Sequence, residues 1–314
     1  MLKQKQGSQS LLSRKSYPMM IWAAVLTLAF GDLAVGVPQD SISALYSFVS
    51  LDIPAPNGQL GFTNLSDIAD NGDLLDFFVA APDTPGFLLQ QFRTIPIMCT
   101  HAEFSTPSGI NNRGEISGNC VVPSTTPSGQ GFLRRPNGEL ILINFPGALS
   151  TAAFKLNDNS QVVGFYQSAN RTLHGFIWSN GVFQPIDLPH NLGQALPRGI
   201  NNLGQVVGDY NDSSGRTHGF IRYPDGSFSP IDFPGAHDTL PADINDDGMI
   251  VGSYRDAQDQ LHGFLLKNGR FFTLDVPFPS MRTVVLGINQ KGQIVGAYGA
   301  SGNVNTHGFV ATPE

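Results

Sequence analysis

Seven histidines and a sparse set of carboxylates and arginines hold whatever acid–base, metal or ligand chemistry this sequence offers. His174, His218, His262 and His307 recur 44, 44 and 45 residues apart, each opening a His-Gly-Phe triplet. Four imidazoles at one phase invite a metal ring. A whole structural unit separates each from the next, however, so a structural imidazole bonded to a neighbouring loop is the better expectation. The run DINDDG, Asp243 to Gly248, matches the front of a calcium loop. Its twelfth position, where a bidentate Glu is required, is Tyr254, and sister segments carry Gly or Lys where Asp243 stands. A polar hairpin turn is therefore expected there rather than a calcium site.

The residues that break the pattern are more informative, because a substrate is asymmetric and a symmetric repeat cannot recognise it. His101, His190 and His237 stand outside the triplets, and His101 and His237 each follow an isoleucine, Ile95 or Ile231, by six residues. Glu103 and Asp238 lie beside them, and Arg171, Arg216 and Arg255 fall in loops expected on the same face. Loops on a rigid scaffold are where binding usually resides. These eight side chains, His101, Glu103, His190, His237, Asp238, Arg171, Arg216 and Arg255, form the expected ligand-binding set, weighed against plain loop polarity. No Gly-x-Ser-x-Gly elbow, His-Glu-x-x-His or phosphate loop is present. No catalytic residue, metal site or cofactor is assigned. Cys99 and Cys120, the only cysteines, lack the spacing of a zinc or redox site, and in an exported chain they are expected to pair as a disulfide. Asn64, Asn170 and Asn211 stand in glycosylation sequons, which matter only in a host that glycosylates.

The elements that carry these residues repeat. The segments GINNRGEISG, KLNDNSQVVG, GINNLGQVVGDY, DINDDGMIVGSY and GINQKGQIVGAY centre on Ile110, Leu156, Ile200, Ile244 and Ile288, and an earlier degenerate copy places Ile68 in the same slot. The intervals are 42, 46, 44, 44 and 44 residues. The triplet glycines Gly86, Gly131, Gly175, Gly219, Gly263 and Gly308 keep the same period. Each unit reads as four short strands rich in Val, Ile, Phe and Tyr, punctuated by Gly, Asn and Pro. A repeat of about 40–45 residues with four strands is the blade of a β-propeller. The sixth copy lacks its fourth strand, and a matching one, Phe48 to Pro54, stands at the other end of the chain, resembling Phe271 to Pro277. The expected fold is all-β, a six-bladed propeller over residues 37–314, closed by an N-terminal strand that completes the C-terminal blade and leaves no free edge. Within it, Gly164, Gly208, Gly252 and Gly296 mark close approach of a neighbour, for which Tyr166, Tyr210, Tyr254 and Tyr298 are the expected occupants. Asn201, Asn245 and Asn289 are expected to bond their hairpin turns.

The runs SGINNRGEISG, HGFIWSNGVFQPIDLPH and HGFIRYPDGSFSPIDFPGA resemble the bacterial extracellular repeats named for a His-Ala-Phe (HAF) triplet. Here the triplet is His-Gly-Phe, a departure that points to a subfamily. The resemblance covers roughly residues 48–314. It implies export and a propeller-like fold, and it carries no catalytic residues over.

Glycine (35) and proline (22) are too abundant for a helix-dominated chain, while 41% apolar residues, with 22 Phe, argue against disorder. Net charge is −7 although residues 1–36 bring Lys3, Lys5, Arg14 and Lys15 against Asp32 alone, so the body is more acidic still. An acidic body lacks the footprint of a nucleic-acid binder and is not drawn to anionic lipid. Residues 1–36 read as a secretory signal: a basic start, the apolar run Met19 to Phe30, then Ala34-Val35-Gly36 as cleavage site. As a helix the apolar run spans about 18 Å, short of the ~30 Å hydrocarbon core, so no stable membrane span is expected after processing. The functional expectation is a secreted or extracytoplasmic, non-enzymatic monomer that binds a ligand such as a saccharide or peptide, or scaffolds a surface assembly. The rival is a propeller hydrolase or lyase acting on a sugar or lactone.

Overall fold

The computed structural model describes residues 42, 45–53, 63–77, 86–91, 93–99, 102–122, 129–189, 192–299 and 306–314. The chain divides after Pro38, and every described residue belongs to the part that follows. The segment read as a signal lies outside the described residues, as do His101 and His190. Among the described residues there is no α-helix.

Period-two alternation with glycine and asparagine at the turns produces strands in sets of four. After β1 (Tyr46–Leu51) come β2 to β5 (Leu65–Ile68, Leu74–Asp76, Gly86–Gln90, Arg93–Ile97). β6 to β9 are Phe104–Ile110, Ile116–Val121, Gly129–Arg134 and Leu140–Ile143. β10 to β13 are Ser150–Leu156, Val162–Gln167, Leu173–Ser179 and Val182–Ile186. β14 to β17 are Leu196–Ile200, Val206–Asn211, Thr217–Arg222 and Phe228–Ile231. β18 to β21 are Asp238–Ile244, Ile250–Arg255, Leu261–Lys267 and Arg270–Thr273, and β22 to β24 are Arg282–Ile288, Ile294–Gly299 and His307–Pro313. Within each set, neighbours in sequence pair antiparallel. The last set takes its fourth member from the other end of the chain: β1 pairs antiparallel with β24, with Phe48 opposite Ala311 and Leu51 opposite Gly308. A single bridge, Leu261 to Arg282, links the last two sets.

The first strands β2, β6, β10, β14, β18 and β22 lie side by side in chain order, and β22 also lies against β2. The apolar core is correspondingly divided. One cluster joins Val207, Ile221 and Phe233 to Ile244, Ile250 and Phe264, from two successive sets. Another joins Val295 of the last set to Leu65, Ile68 and Leu74 of the first. Sheets covered on both faces can be nearly all apolar. Each fully buried Phe, such as Phe132, Phe176, Phe220, Phe264 and Phe309, contributes roughly 1.5–3 kcal/mol by leaving water.

These phenylalanines, not the tyrosines, fill the space beside the mid-strand glycines. A Cβ on Gly208 would lie 2.8 Å from Phe220, and one on Gly252 2.9 Å from Phe264. The tyrosines stack instead on the triplet histidines: Tyr210 on His218 at 5.3 Å and Tyr254 on His262 at 5.1 Å between centroids. Three of the four imidazoles are held by the aspartate that follows the fourth strand. His218 Nδ1 lies 3.0 Å from Asp232, His262 Nδ1 2.7 Å from Asp275, and His307 Nδ1 2.8 Å from Asp52. Expected as structural, they are bonded within their own set rather than to the next loop. The hairpin asparagines do bond their turns, with Asn201 Oδ1 accepting from Gln205 N at 2.9 Å and Asn245 Oδ1 from Met249 N at 3.0 Å.

Candidate functional site

Every first strand except β10 slips register immediately before the residue that precedes its Ile, and β10 slips between Ala153 and Leu156. Such a bulge inserts a residue and re-aims its side chain. The six residues that precede the Ile or Leu are Asp67, Gly109, Lys155, Gly199, Asp243 and Gly287, alternately charged and bare. The alternation is a packing solution. A Cβ on Gly287 would come within 3.0 Å of the Lys155 Nζ, and one on Gly199 within 2.7 Å of the Asp243 Cα. Three charged side chains meet because three neighbours yield the room.

Lys155 Nζ lies 2.7 Å from Asp67 Oδ1 and 3.4 Å from Asp243 Oδ2, and it donates to the Ser66 carbonyl at 2.7 Å. All three side chains are buried. Asp67 Oδ2 also accepts the Ile110 N–H at 2.8 Å, and Asp243 accepts those of Ile244 and Ile288 at 2.9 and 3.1 Å. Buried charge persists only when paired and hydrogen-bonded in this way. Burial pushes the Asp67 carboxyl up to about 7, the Asp243 charge adding to the rise and the Lys155 ammonium opposing it. Burial raises Asp243 as well. One ammonium thus ties three sets together, and its three protons are spent.

On one side of this triad, hydrogen bonds run from set to set. Asp70 N donates to Asn112, Asn112 N to Asp158, Asp158 N to Asn202, Asn202 N to Asp246, Asp246 N to Gln290, and Gln290 N back to Asp70, at 2.7 to 3.0 Å. On the other side, toward the beginnings of the first strands, lies a cavity of about 330 Å³. Each set contributes its bulge residue: Ser66, Ser108, Phe154, Arg198, Ala242 and Leu286. Lys155 forms part of the lining, with Phe77, Thr106 and Asn119. Arg198 donates from Nε to Asp209 Oδ1 at 2.7 Å, and its guanidinium lies 5.0 Å from the Phe154 ring centroid.

Of the side chains expected to bind ligand, His101 and His190 lie outside the described residues and the other six do not line this cavity. Four of them meet. Arg216 donates to the carbonyls of Ala236 and His237, each at 2.7 Å. Asp238 accepts the Thr217 N–H at 2.9 Å and faces His237 Nδ1 at 3.1 Å and Arg255 Nε at 3.4 Å. These contacts hold the Asp238 carboxyl below its ordinary range, against the opposing effect of burial. The cluster clasps the connection between the fourth and fifth sets. Arg171 is exposed in a separate turn, and Glu103 sits apart, its N–H bonded to Val121 at 2.8 Å. Cys99 and Cys120 form a disulfide, with Cα atoms 6.0 Å apart. The replacement of Asp243 by Gly or Lys in sister segments is visible in the sequence. The six-fold order of charged and bare residues was the signal for the triad.

No protein-family model matches the chain, and no curated protein matches it in sequence. Solved structures do match. A putative TolB from Agrobacterium tumefaciens superposes with a TM-score of 0.55 at 14% identity, over 86% of this chain and 99% of that one. A gluconolactonase from Xanthomonas campestris does so at 0.53 and 8%, over 86% and 90%. SapL1 lectin, in complex with alpha methyl fucoside, does so at 0.51 and 12%, over 78% and 88%. At these identities the likeness is one of fold, and the fold is of the β-propeller kind.

Proposed function

We propose that the chain is an exported six-bladed propeller, closed on itself by β1, that binds a small ligand non-enzymatically in the cavity above Lys155. One observation carries this reading. The bulge slot is flanked by repeat-locked residues yet holds Ser, Ser, Phe, Arg, Ala and Leu, and all six line one cavity. A volume of about 330 Å³ sits at the small end of ligand pockets, which run about 300–1,000 Å³. It has room for one sugar ring or one amino-acid side chain. Closure is supported by the β1–β24 ladder and by the hydrogen-bond circuit through Asp70 and Gln290. Export is supported by the order of basic, apolar and small residues at the N-terminus and by the disulfide. The His-Gly-Phe repeats support kinship with the HAF extracellular repeats.

Binding is favoured over hydrolysis because the carboxylates nearest the cavity, which could move a proton, are already engaged. Asp67 and Asp243 approach one another on Lys155 as a hydrolase pair would, but both are spent on that ammonium and on backbone N–H groups. A general acid or base must reach the proton it moves. The test fills the cavity. Leu286→Trp should abolish ligand-induced NMR shifts from saccharide and peptide panels while leaving the melting curve intact. Shifts that survive the substitution would move the site elsewhere. Turnover of a sugar lactone by wild type, lost in Leu286→Trp, would favour the hydrolase.

A further inference from the structure

We infer that the ligand of this cavity is a small organic carboxylate with an apolar body, its carboxylate held by the free edge of the Arg198 guanidinium. The inference rests on the cavity being the binding site. It follows from asking which polar atoms at the wall still lack partners. Lys155 has given its protons to Asp67, Asp243 and the Ser66 carbonyl. The Ser66 hydroxyl donates to the Pro107 carbonyl at 3.1 Å, and that of Ser108 to the Thr106 carbonyl at 3.3 Å. Asn119 exchanges two bonds with the Ala153 backbone, donating at 2.9 Å and accepting at 2.7 Å. The serines therefore offer a ligand only lone pairs.

Among the charged groups at the wall, Arg198 is the exception. Only its Nε is engaged, on Asp209, a carboxylate that is itself buried. Its two terminal nitrogens make no hydrogen bond among the described residues, and its guanidinium carbon lies over the Phe154 ring. Held at Nε and on one face, the guanidinium presents a preorganised planar fork. That fork matches a carboxylate with two parallel bonds and loses little entropy in making them. The remaining wall, Phe77, Ala242, Leu286 and the rim of Phe154, is apolar. It favours an aliphatic or aryl body over a hydroxylated ring, whose donors would find few partners beyond the hydroxyl oxygens of Ser66, Ser108 and Thr106.

The bulge pattern agrees. Of the six slots, the fourth alone carries a cation, and it stands beside the only aromatic, in the third. Asp209, which anchors it, occupies a second-strand slot held by Asn119, Phe165, Ser253 and Ala297 in four sister sets, so fork and anchor occur together in one set.

The test uses the full chain after export, with 4-fluorobenzoate, its neutral isostere 4-fluorobenzamide and glucuronate as probes, followed by fluorine and protein NMR. The acid should bind at least tenfold more tightly than the amide. Arg198→Lys keeps the charge but loses the fork, and should bring that preference below threefold. Leu286→Trp, or Ser108→Trp if the first fails to fold, should abolish binding of both fluorinated probes. Equal binding of acid and amide, both lost on filling the cavity, would overturn the carboxylate assignment and leave the cavity as the site. Tighter binding of glucuronate would overturn the apolar body. Binding indifferent to cavity filling, or none at millimolar probe, would overturn the inference and the cavity reading together.

Discussion

Lys155 is the residue on which most of the centre depends. Removing it strands two buried carboxylates, and breaking a buried ion pair from one side costs about 3–5 kcal/mol. Lys155→Met should therefore lower stability by about that much at pH 7, and by less at pH 4–5, where the raised Asp67 carboxyl protonates. Denaturant titration at the two pH values measures this. Replacing Asp67, Lys155 and Asp243 together by apolar residues should cost far less than the single change. Asp76 offers a second lever. It stands where sister sets carry Gly118, Gly164, Gly208, Gly252 and Gly296, and its Oδ2 is buried with no hydrogen bond among the described residues. Burial pushes its carboxyl up to about 7 from an ordinary 3.8. A raised acid favours folding while protonated, so its contribution is present below the unfolded pKa and is lost as pH rises from about 4 to about 7. Asp76→Asn should thus gain on wild type over that window, by an amount on the order of 2 kcal/mol. A difference that stays flat with pH would show that Asp76 titrates normally. At the residue scale, histidine and arginine in loops draw a site assignment because polarity is visible in a sequence, whereas a bulge that turns Arg198 inward is not.

At the scale of elements the period was the decisive signal. Two landmarks repeating about every 44 residues placed the strand sets, the turns and the fourth strand borrowed from the chain's beginning. The partner of each mid-strand glycine was misjudged because Tyr and Phe both lie within reach of it. Pairing register decides between them: Gly252 sits opposite Phe264 and Tyr254 opposite His262. Gly252→Ala should cost about 1–3 kcal/mol, the usual price of overpacking, since the new Cβ would crowd Phe264 and the backbone of Pro241. Deleting residues 37–54 removes β1 and exposes the edge of β24. The melting temperature should fall by well over what eighteen residues lost from a surface loop would cause, and calorimetry on the truncated chain reads it directly.

For the whole molecule the core is divided into clusters shared by neighbouring sets, so no set buries its apolar surface alone. Nearest-neighbour stabilisation of this kind is typical of repeat architectures. Here it is reinforced by side-chain links from each set to the next. The Cys99–Cys120 disulfide adds one covalent link, between the end of the first set and β7 in the second, across 21 residues. Chain-entropy arguments assign such a loop about 3 kcal/mol. Cys99→Ser with Cys120→Ser should lose roughly that much, and thiol counting under denaturant should find no free thiol in wild type. The acidic charge comes from composition, and the export reading from the order of residues at the N-terminus. The cavity comes from neither, because a volume enclosed by six strands has no local signature in any one of them.

The pairing of β1 with β24 also sets how the molecule answers a mechanical load. Tyr46 lies opposite Pro313 and Leu51 opposite Gly308, so the chain leaves this strand pair in both directions from the same end. A pull applied through the residues before Tyr46 and after Pro313 would not shear the ladder. It would peel the rungs one at a time, beginning at Tyr46, while a pull through opposite loops would load many rungs at once. The same strand that holds against heat would then be the first to yield to traction.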